Sequence, residues 1–268
     1  LFRSGRMKEK IEWYGNYEPR DGDDKILVMP KYQSIAGYTL GVIVMDTWFP
    51  LIPGGCQNAS SYPFPVLMKK VKELNAQRQL VRSEEGDKLM LEQLIDAAKE
   101  LQEAGVRAIT GCCGFFGRFQ YDLAKKITIP CFMSSLLQVP MVMASIKANQ
   151  KVGIMVADKK QFPFEMLDYL GINTKRVVII GMEDTEEFYC VCENRGEWDN
   201  EKVRADMVRK AKELVQMDIV GSIVMECGDM PSYAVDVQHA VNMPVYDYMT
   251  MTKWIHSAIC QKPYYGQV

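Results

Sequence analysis

The 268-residue sequence predicts an α/β protein made of two pseudo-symmetric parallel-sheet halves, with its active site in the cleft between them. Two observations carry that expectation. Short apolar strand patterns alternate with helical patterns along most of the chain, and one strand-turn-helix unit recurs at a constant offset.

Residues 1–35 are polar, with Pro19, Gly22 and a DGDDK run, and read as an arm rather than core. Residues 1–6 read as a leftover ahead of a native start at Met7. The first strong strand is 38–45, YTLGVIVM, an apolar run of the kind a parallel sheet buries on both faces. It leads into a long loop, DTWFPLIPGGCQNASSYPFP, at the carboxyl end of the strand, where open α/β sheets bind ligands. Leu89, Leu91, Leu94, Ile95, Ala98 and Leu101 keep helical spacing over 87–104, and Gly105 stops that helix. A strand at 106–109, a helix at 115–126, a strand at 131–133, a helix to about 149 and a strand at 152–156 follow. The second half repeats the scheme with a helix at 162–170, strand 177–180, helix 201–217, strand 219–225, a helix through 240 and a strand at Val245. The expected organisation is residues 36–138 with 248–268 as the first half and 139–247 as the second.

The repeat is the most informative feature. AITGCCGFFGRFQYDLAKKITIPCFM aligns with SIVMECGDMPSYAVDVQHAVNMPVYDYM, placing Cys113-Gly114 on Cys227-Gly228 and Pro130 on Pro244. Both pairs are 114 positions apart (227 − 113 and 244 − 130). The string AKEL at 98–101 recurs at 211–214, an offset of 113 (211 − 98). In each half an apolar strand ends, the chain turns at Cys-Gly and a helix begins. A helix N-terminus favours negative charge, so a thiol there is expected to fall from about 8.5 towards 7 or below. The glycine after each cysteine lets a ligand approach closely. Packed as pseudo-twofold mates, Cys113 and Cys227 face each other across one cleft and serve as base and acid towards a carbon acid.

Other chemistries find less support. Lys plus Arg number 32 against 34 for Asp plus Glu, a formal charge of −2, which supplies no field for nucleic acid or an anionic membrane. No apolar run approaches the roughly 18 residues of a membrane span. Eight cysteines in 268 residues read as reduced thiols, and with no secretory leader in view the expected compartment is the cytoplasm. His239 and His256 have no triad signature around them. Neither GxGxxG nor a Walker loop is present, so nothing points to a dinucleotide or a nucleoside triphosphate. Cys112 could bridge to Cys113 and the Cys190-Val191-Cys192 run could hold a metal, but neither has paired CxxC spacing. Cys56 lies in the ligand-facing loop, while Cys131 and Cys260 read as structural.

Two α/β halves, each with one loop cysteine, resemble the aspartate/glutamate racemase superfamily over about residues 37–259. The strings GVIVMD, ITGCCGFF, FMSSLLQVP, GMED, MECGDMPSY and MPVYD are most similar to its algal-type dimethylsulfoniopropionate lyases. The resemblance implies cofactor-independent removal of the proton alpha to a carboxylate, then beta-elimination to dimethyl sulfide and acrylate. It makes Cys113 and Cys227 the catalytic thiols, with Cys227 as base and Cys113 supporting the developing enolate, or the reverse. It also implies a small carboxylate substrate and a homo-oligomer, dimer or tetramer. Amino-acid racemases of the superfamily carry Asn and Thr after the two cysteines; Gly114 and Gly228 here speak against an ordinary aspartate or glutamate racemase. The lyases place an acidic residue before the first cysteine, where this chain has Cys112. An amino-acid racemase or isomerase using the same pair is the alternative, and a catalytically silent small-molecule binder is the third reading.

Ser60, Ser61, Ser134 and Ser135 are candidate donors to a substrate carboxylate. Trp48, Phe49, Tyr62 and Phe64 crowd the first loop, and Phe115, Phe116 and Tyr233 adjoin the cysteines. Aromatic faces attract a sulfonium or quaternary ammonium by about 0.5–2 kcal/mol per contact, which favours a methylated cation such as a sulfonium zwitterion. Glu183-Asp184 receives no role.

Overall fold

The computed structural model describes residues 33–75, 83–264 and 266–267, so nearly all of the expected arm lies outside the described residues. Strands β1 (Leu40–Val44), β2 (Val66–Lys70), β3 (Ala108–Gly111) and β4 (Cys131–Phe132) form one sheet in the order β2-β1-β3-β4. Strands β5 (Lys151–Val156), β6 (Val177–Gly181), β7 (Val220–Met225) and β8 (Val245–Tyr246) form a second in the order β6-β5-β7-β8. All pairings are parallel, so the second sheet repeats the first strand for strand. The central β1 is buried along its whole length, as a strand covered on both faces must be. The strands that lead to Cys113 and Cys227, β3 and β7, hold the same place in their sheets.

The described helices are α1 (Glu84–Glu103), α2 (Gln120–Ala124), α3 (Val139–Ser145), α4 (Glu165–Tyr169), α5 (Cys190–Glu193), α6 (Asn200–Met217), α7 (Ala234–Val241) and α8 (Tyr248–Ile259). The two long ones, α1 and α6, start on side-chain caps. Ser83 accepts from the Gly86 N–H, and Asp199 accepts from the Glu201 and Lys202 N–H groups. Their repeated AKEL strings make the same contact in each half. Leu101 lies against Gly41 of β1 and Leu214 against Gly153 of β5, where a Cβ would stand 3.1 and 2.8 Å from the leucine methyls. Glycine in the strand thus lets each helix approach its sheet.

Three expectations change. β2 is a strand within a stretch that carries no strand signal, because VLMKK is an edge strand, nowhere fully buried and with Lys69 and Lys70 turned to Glu100 and Asp46. The helix expected over 115–126 begins as a 3-10 turn, Gly114–Phe119, and is α-helical only in α2. The tight turn carries Phe116 and Phe119, three residues apart and so on one face, into the core with β3. The helix expected to reach about 149 likewise opens as a 3-10 turn, Ser135–Gln138, before α3.

After β8 the chain returns to the first sheet. Tyr248, Met249, Met251 and Ile255 of α8 share a core with β1, β3 and α1. Gln138 joins the two passages between sheets: its Nε2 donates to the Ser135 and Asp247 carbonyls at 3.1 and 2.9 Å, and its Oε1 accepts from Thr250 at 3.0 Å. Among the described residues no helix is long and apolar enough to cross a membrane.

Leu101→Ala and Leu214→Ala are each expected to lower the unfolding free energy by about 2–5 kcal/mol, because each leaves a cavity over a glycine that cannot fill it. Urea denaturation of the two variants checks this, and a loss in only one of them would show that the repeated contact is not equivalent in the two halves.

Candidate active site

The two Cys-Gly turns cross each other. A Cβ on Gly228 would overlap the Cys112 carbonyl and the Cys56 sulfur, and a Cβ on Gly114 would overlap the Glu226 carboxyl and carbonyl. The residue before each cysteine therefore occupies the space above the glycine after the other. Gly114 and Gly228 each make room for the opposite loop, and Gly114 also lines the cavity between the halves. Each turn is anchored alike to its own sheet: Cys112 N–H donates to the Ile43 carbonyl at 2.9 Å, and Glu226 N–H to the Met155 carbonyl at 2.8 Å. Cys56 ties the turns together, with its N–H on the Gly228 carbonyl at 2.9 Å and its thiol on the Cys112 carbonyl at 3.2 Å. It is buried and structural rather than open to a ligand.

Between the halves the crossing leaves a cavity of about 40 Å³. Cys113, Gly114 and Phe115 line it from the first half and Cys227 from the second. Met45, Cys112, Val191, Glu226 and Asp229 also contribute to its wall. Phe49 and Cys192 stand there too; Phe49 is held by stacking on Trp198, with ring centroids 6.3 Å apart.

The remaining expected site residues stand elsewhere. Trp48 is 72% exposed and lies on Gly196 outside the cavity. Ser60 donates to Asn58 at 2.6 Å, and Ser61 donates to the Gly55 carbonyl at 2.8 Å, both bracing the first loop. Tyr62 donates to the Cys56 carbonyl at 2.6 Å. Ser134 caps its 3-10 turn through the Leu136 N–H. Ser135 donates to the Met225 and Glu226 carbonyls at 2.8 and 3.1 Å, tying the halves together beneath the cavity. Tyr233 is buried and donates to Asn200 at 2.7 Å. These hydroxyls and the rings of Trp48, Tyr62 and Tyr233 brace the wall rather than face the cavity, because loop backbone close to the site has its own polar groups to satisfy. Glu183 accepts from the Lys159 N–H at 3.0 Å and Asp184 pairs with Lys210 at 2.6 Å, so both are structural. All eight cysteines are free, and among the described residues no group of three His, Cys, Asp or Glu is placed to hold a metal.

The electrostatics of the cavity are those of an acid-only site. Burial first, and then the charges of Asp229 and Glu226, push the Cys227 thiol well above its usual range. A stabilised thiolate was the expectation from helix position. It fails because the turns after the cysteines are short 3-10 segments, with little aligned dipole, and because the Cys227 thiol is buried. Burial raises Asp229 to about 7 and Glu226 to about 8. Asp229 Oδ2 lies 4.0 Å from the Cys227 sulfur and accepts its proton. These two carboxyls sit beside the second cysteine in the sequence, at 226 and 229, and their acidity relative to a buried loop was the signal available.

No protein-family profile matches the chain. Among solved structures it is similar to a single-residue mutant of arylmalonate decarboxylase in a sulfate-associated form, with a TM-score of 0.56 at 15% identity, covering 85% of this chain and 98% of that one. It is similar also to glutamate racemase from Bacillus anthracis, with a TM-score of 0.56 at 14% identity over 83% of this chain and 84% of that one. These likenesses show that the fold is the two-domain α/β fold of Asp/Glu racemase-like proteins. Dimethylsulfoniopropionate lyase 7 of Emiliania huxleyi (strain CCMP1516) is 32% identical over 260 residues, 92% of this chain and 73% of the relative. Lyase 5 of the same strain is 28% identical over 251 residues, and there the chain spans 49% of the relative's length. On that identity and coverage, and with the Cys-Gly turns of both halves in one cleft, the chain belongs to the dimethylsulfoniopropionate lyase family.

Proposed function

We propose that the chain is a cofactor-independent carbon-sulfur lyase that converts dimethylsulfoniopropionate to dimethyl sulfide and acrylate. The observation that carries the reading is that the two cysteines of the repeat line one cavity between the halves. Asp229 draws the proton from Cys227, and the resulting thiolate removes a proton from the carbon next to the substrate carboxylate. The electron pair forms the new carbon-carbon double bond, the carbon-sulfur bond breaks, and the sulfonium leaves as neutral sulfide. Burial makes the thiol a weak acid, hence the thiolate a strong base, which a weakly acidic carbon requires. Cys113, facing the developing enolate with Gly114 and Phe115, supplies the opposing donor.

Purified protein is expected to release dimethyl sulfide into the headspace, with Cys227→Ala and Cys113→Ala each lowering the rate by about 10²–10⁴-fold. No release above the Cys227→Ala control would overturn the lyase reading. Exchange of the alpha proton in deuterated water without elimination would assign a racemase-type reaction in its place.

The rate should also depend on pH through Asp229. Below about 7 its carboxyl holds a proton and cannot accept one from Cys227, so kcat/KM rises with pH through that value. Asp229→Asn removes this inflection and lowers kcat by about 10²-fold or more; a pH profile unchanged by the substitution would exclude the role.

A further inference from the structure

Glu226 carries a polar atom that nothing in the cleft satisfies. The residue is 2% exposed, lines the cavity, and its Oε2 has no hydrogen-bond partner. Its position is set by the backbone. Its N–H is held by Met155, its carbonyl accepts from Ser135, and its carboxyl rests over Gly114 next to Cys113. The titratable groups that line the cavity with it are all acids: Cys227 and Asp229 on its own loop, Cys112 and Cys113 on the crossing loop and Cys192 on α5. Among the described residues no lysine, arginine or histidine lines the cavity. An ionised carboxylate here would be a buried charge without a counter-ion, so the empty cleft keeps Glu226 protonated. Its rise to about 8 through burial agrees with that.

A cationic ligand changes the balance, since it supplies the missing counter-ion at the free oxygen. We propose that Glu226 is the specificity-determining residue that reads the positive charge of the substrate: an onium carboxylate seats its cation against Oε2, and the carboxyl gives up its proton to solvent as the ion pair forms. The O–H bond of the carboxyl breaks, no other bond changes, and buffer takes the proton. When a sulfonium leaves as neutral sulfide the counter-ion is gone, and Glu226 takes a proton back. The positive charge is still present as the proton leaves carbon and is lost only with the carbon-sulfur bond, so the interaction is common to the bound substrate and the proton-transfer transition state and governs KM rather than kcat. The inference rests on the cleft being the substrate site, as proposed above. It adds that selection is for positive charge and that a carboxylate does the selecting alongside the apolar walls of Phe49 and Phe115.

The test is binding of 3-(trimethylammonio)propionate, whose amine is a poor leaving group, against 4,4-dimethylpentanoate, the isosteric carboxylate that lacks the cation. Titration calorimetry of the wild-type protein at about pH 7, in two buffers of different ionisation enthalpy, is expected to show about one proton released with the cation and none with the isostere. Glu226→Gln should abolish the release, weaken the cation by about 10- to 100-fold and leave the isostere unchanged. With dimethylsulfoniopropionate the same variant should raise KM by a similar factor and retain kcat. Equal affinity for the two ligands, or cation binding without proton release, would overturn the assignment. The wild-type arm decides even if the variant fails to fold. Proton-linked cation binding without dimethyl sulfide production would leave this inference standing and remove the lyase reading.

Discussion

Everything at the centre of this protein depends on two backbone turns passing within van der Waals contact of each other. Gly114 and Gly228 make that crossing possible, because any side chain on either would collide with the residue that precedes the opposite cysteine. The crossing brings Cys113 and Cys227 to one cavity, and it also buries the groups around them. Cys56, Ser135 and Gln138 each bond across the seam between the halves, so the geometry of the thiol pair is held by several independent hydrogen bonds. A pair of loops so pinned keeps reacting groups in place without rearrangement, which is what proton transfer at carbon demands.

Burial has a second consequence. It raises the proton affinity of Cys227, Asp229 and Glu226, which all hold their protons more tightly than in water. Acidic groups that share a buried site cannot all ionise, and with no basic side chain in the wall among the described residues any positive charge is left to the ligand. The same low dielectric that makes Cys227 a poor acid makes its thiolate a strong base, and makes a free carboxyl such as Glu226 responsive to a cation. Base strength and cation recognition thus share one physical origin.

The halves divide the work differently despite their common plan. The first supplies Cys113, a glycine and aromatic rings; the second supplies Cys227 and both carboxyls. Duplication explains the matching sheets, the matching leucine-on-glycine contacts of α1 and α6 and the matching anchors of the turns, while the residues before the cysteines, Cys112 and Glu226, carry the asymmetry.

By itself the sequence determined the fold class, the duplication and the cysteine pair. Alternating strand and helix periods and a constant offset are local or one-dimensional signals, and burial by a parallel sheet writes them plainly into YTLGVIVM and SIVM. An edge strand such as VLMKK writes no such signal, since half its surface faces water. Only the tertiary structure decided which neighbours of the cysteines face the cavity. Hydroxyls at 60, 61, 134 and 135 and the rings of Trp48, Tyr62 and Tyr233 have the right chemistry for a carboxylate or a cation, yet their partners lie in loop backbone and in the opposite half. The protonation of Cys227 and Glu226 was likewise decided in three dimensions, because a pKa answers to burial and neighbouring charge, and both arise only when the two loops cross.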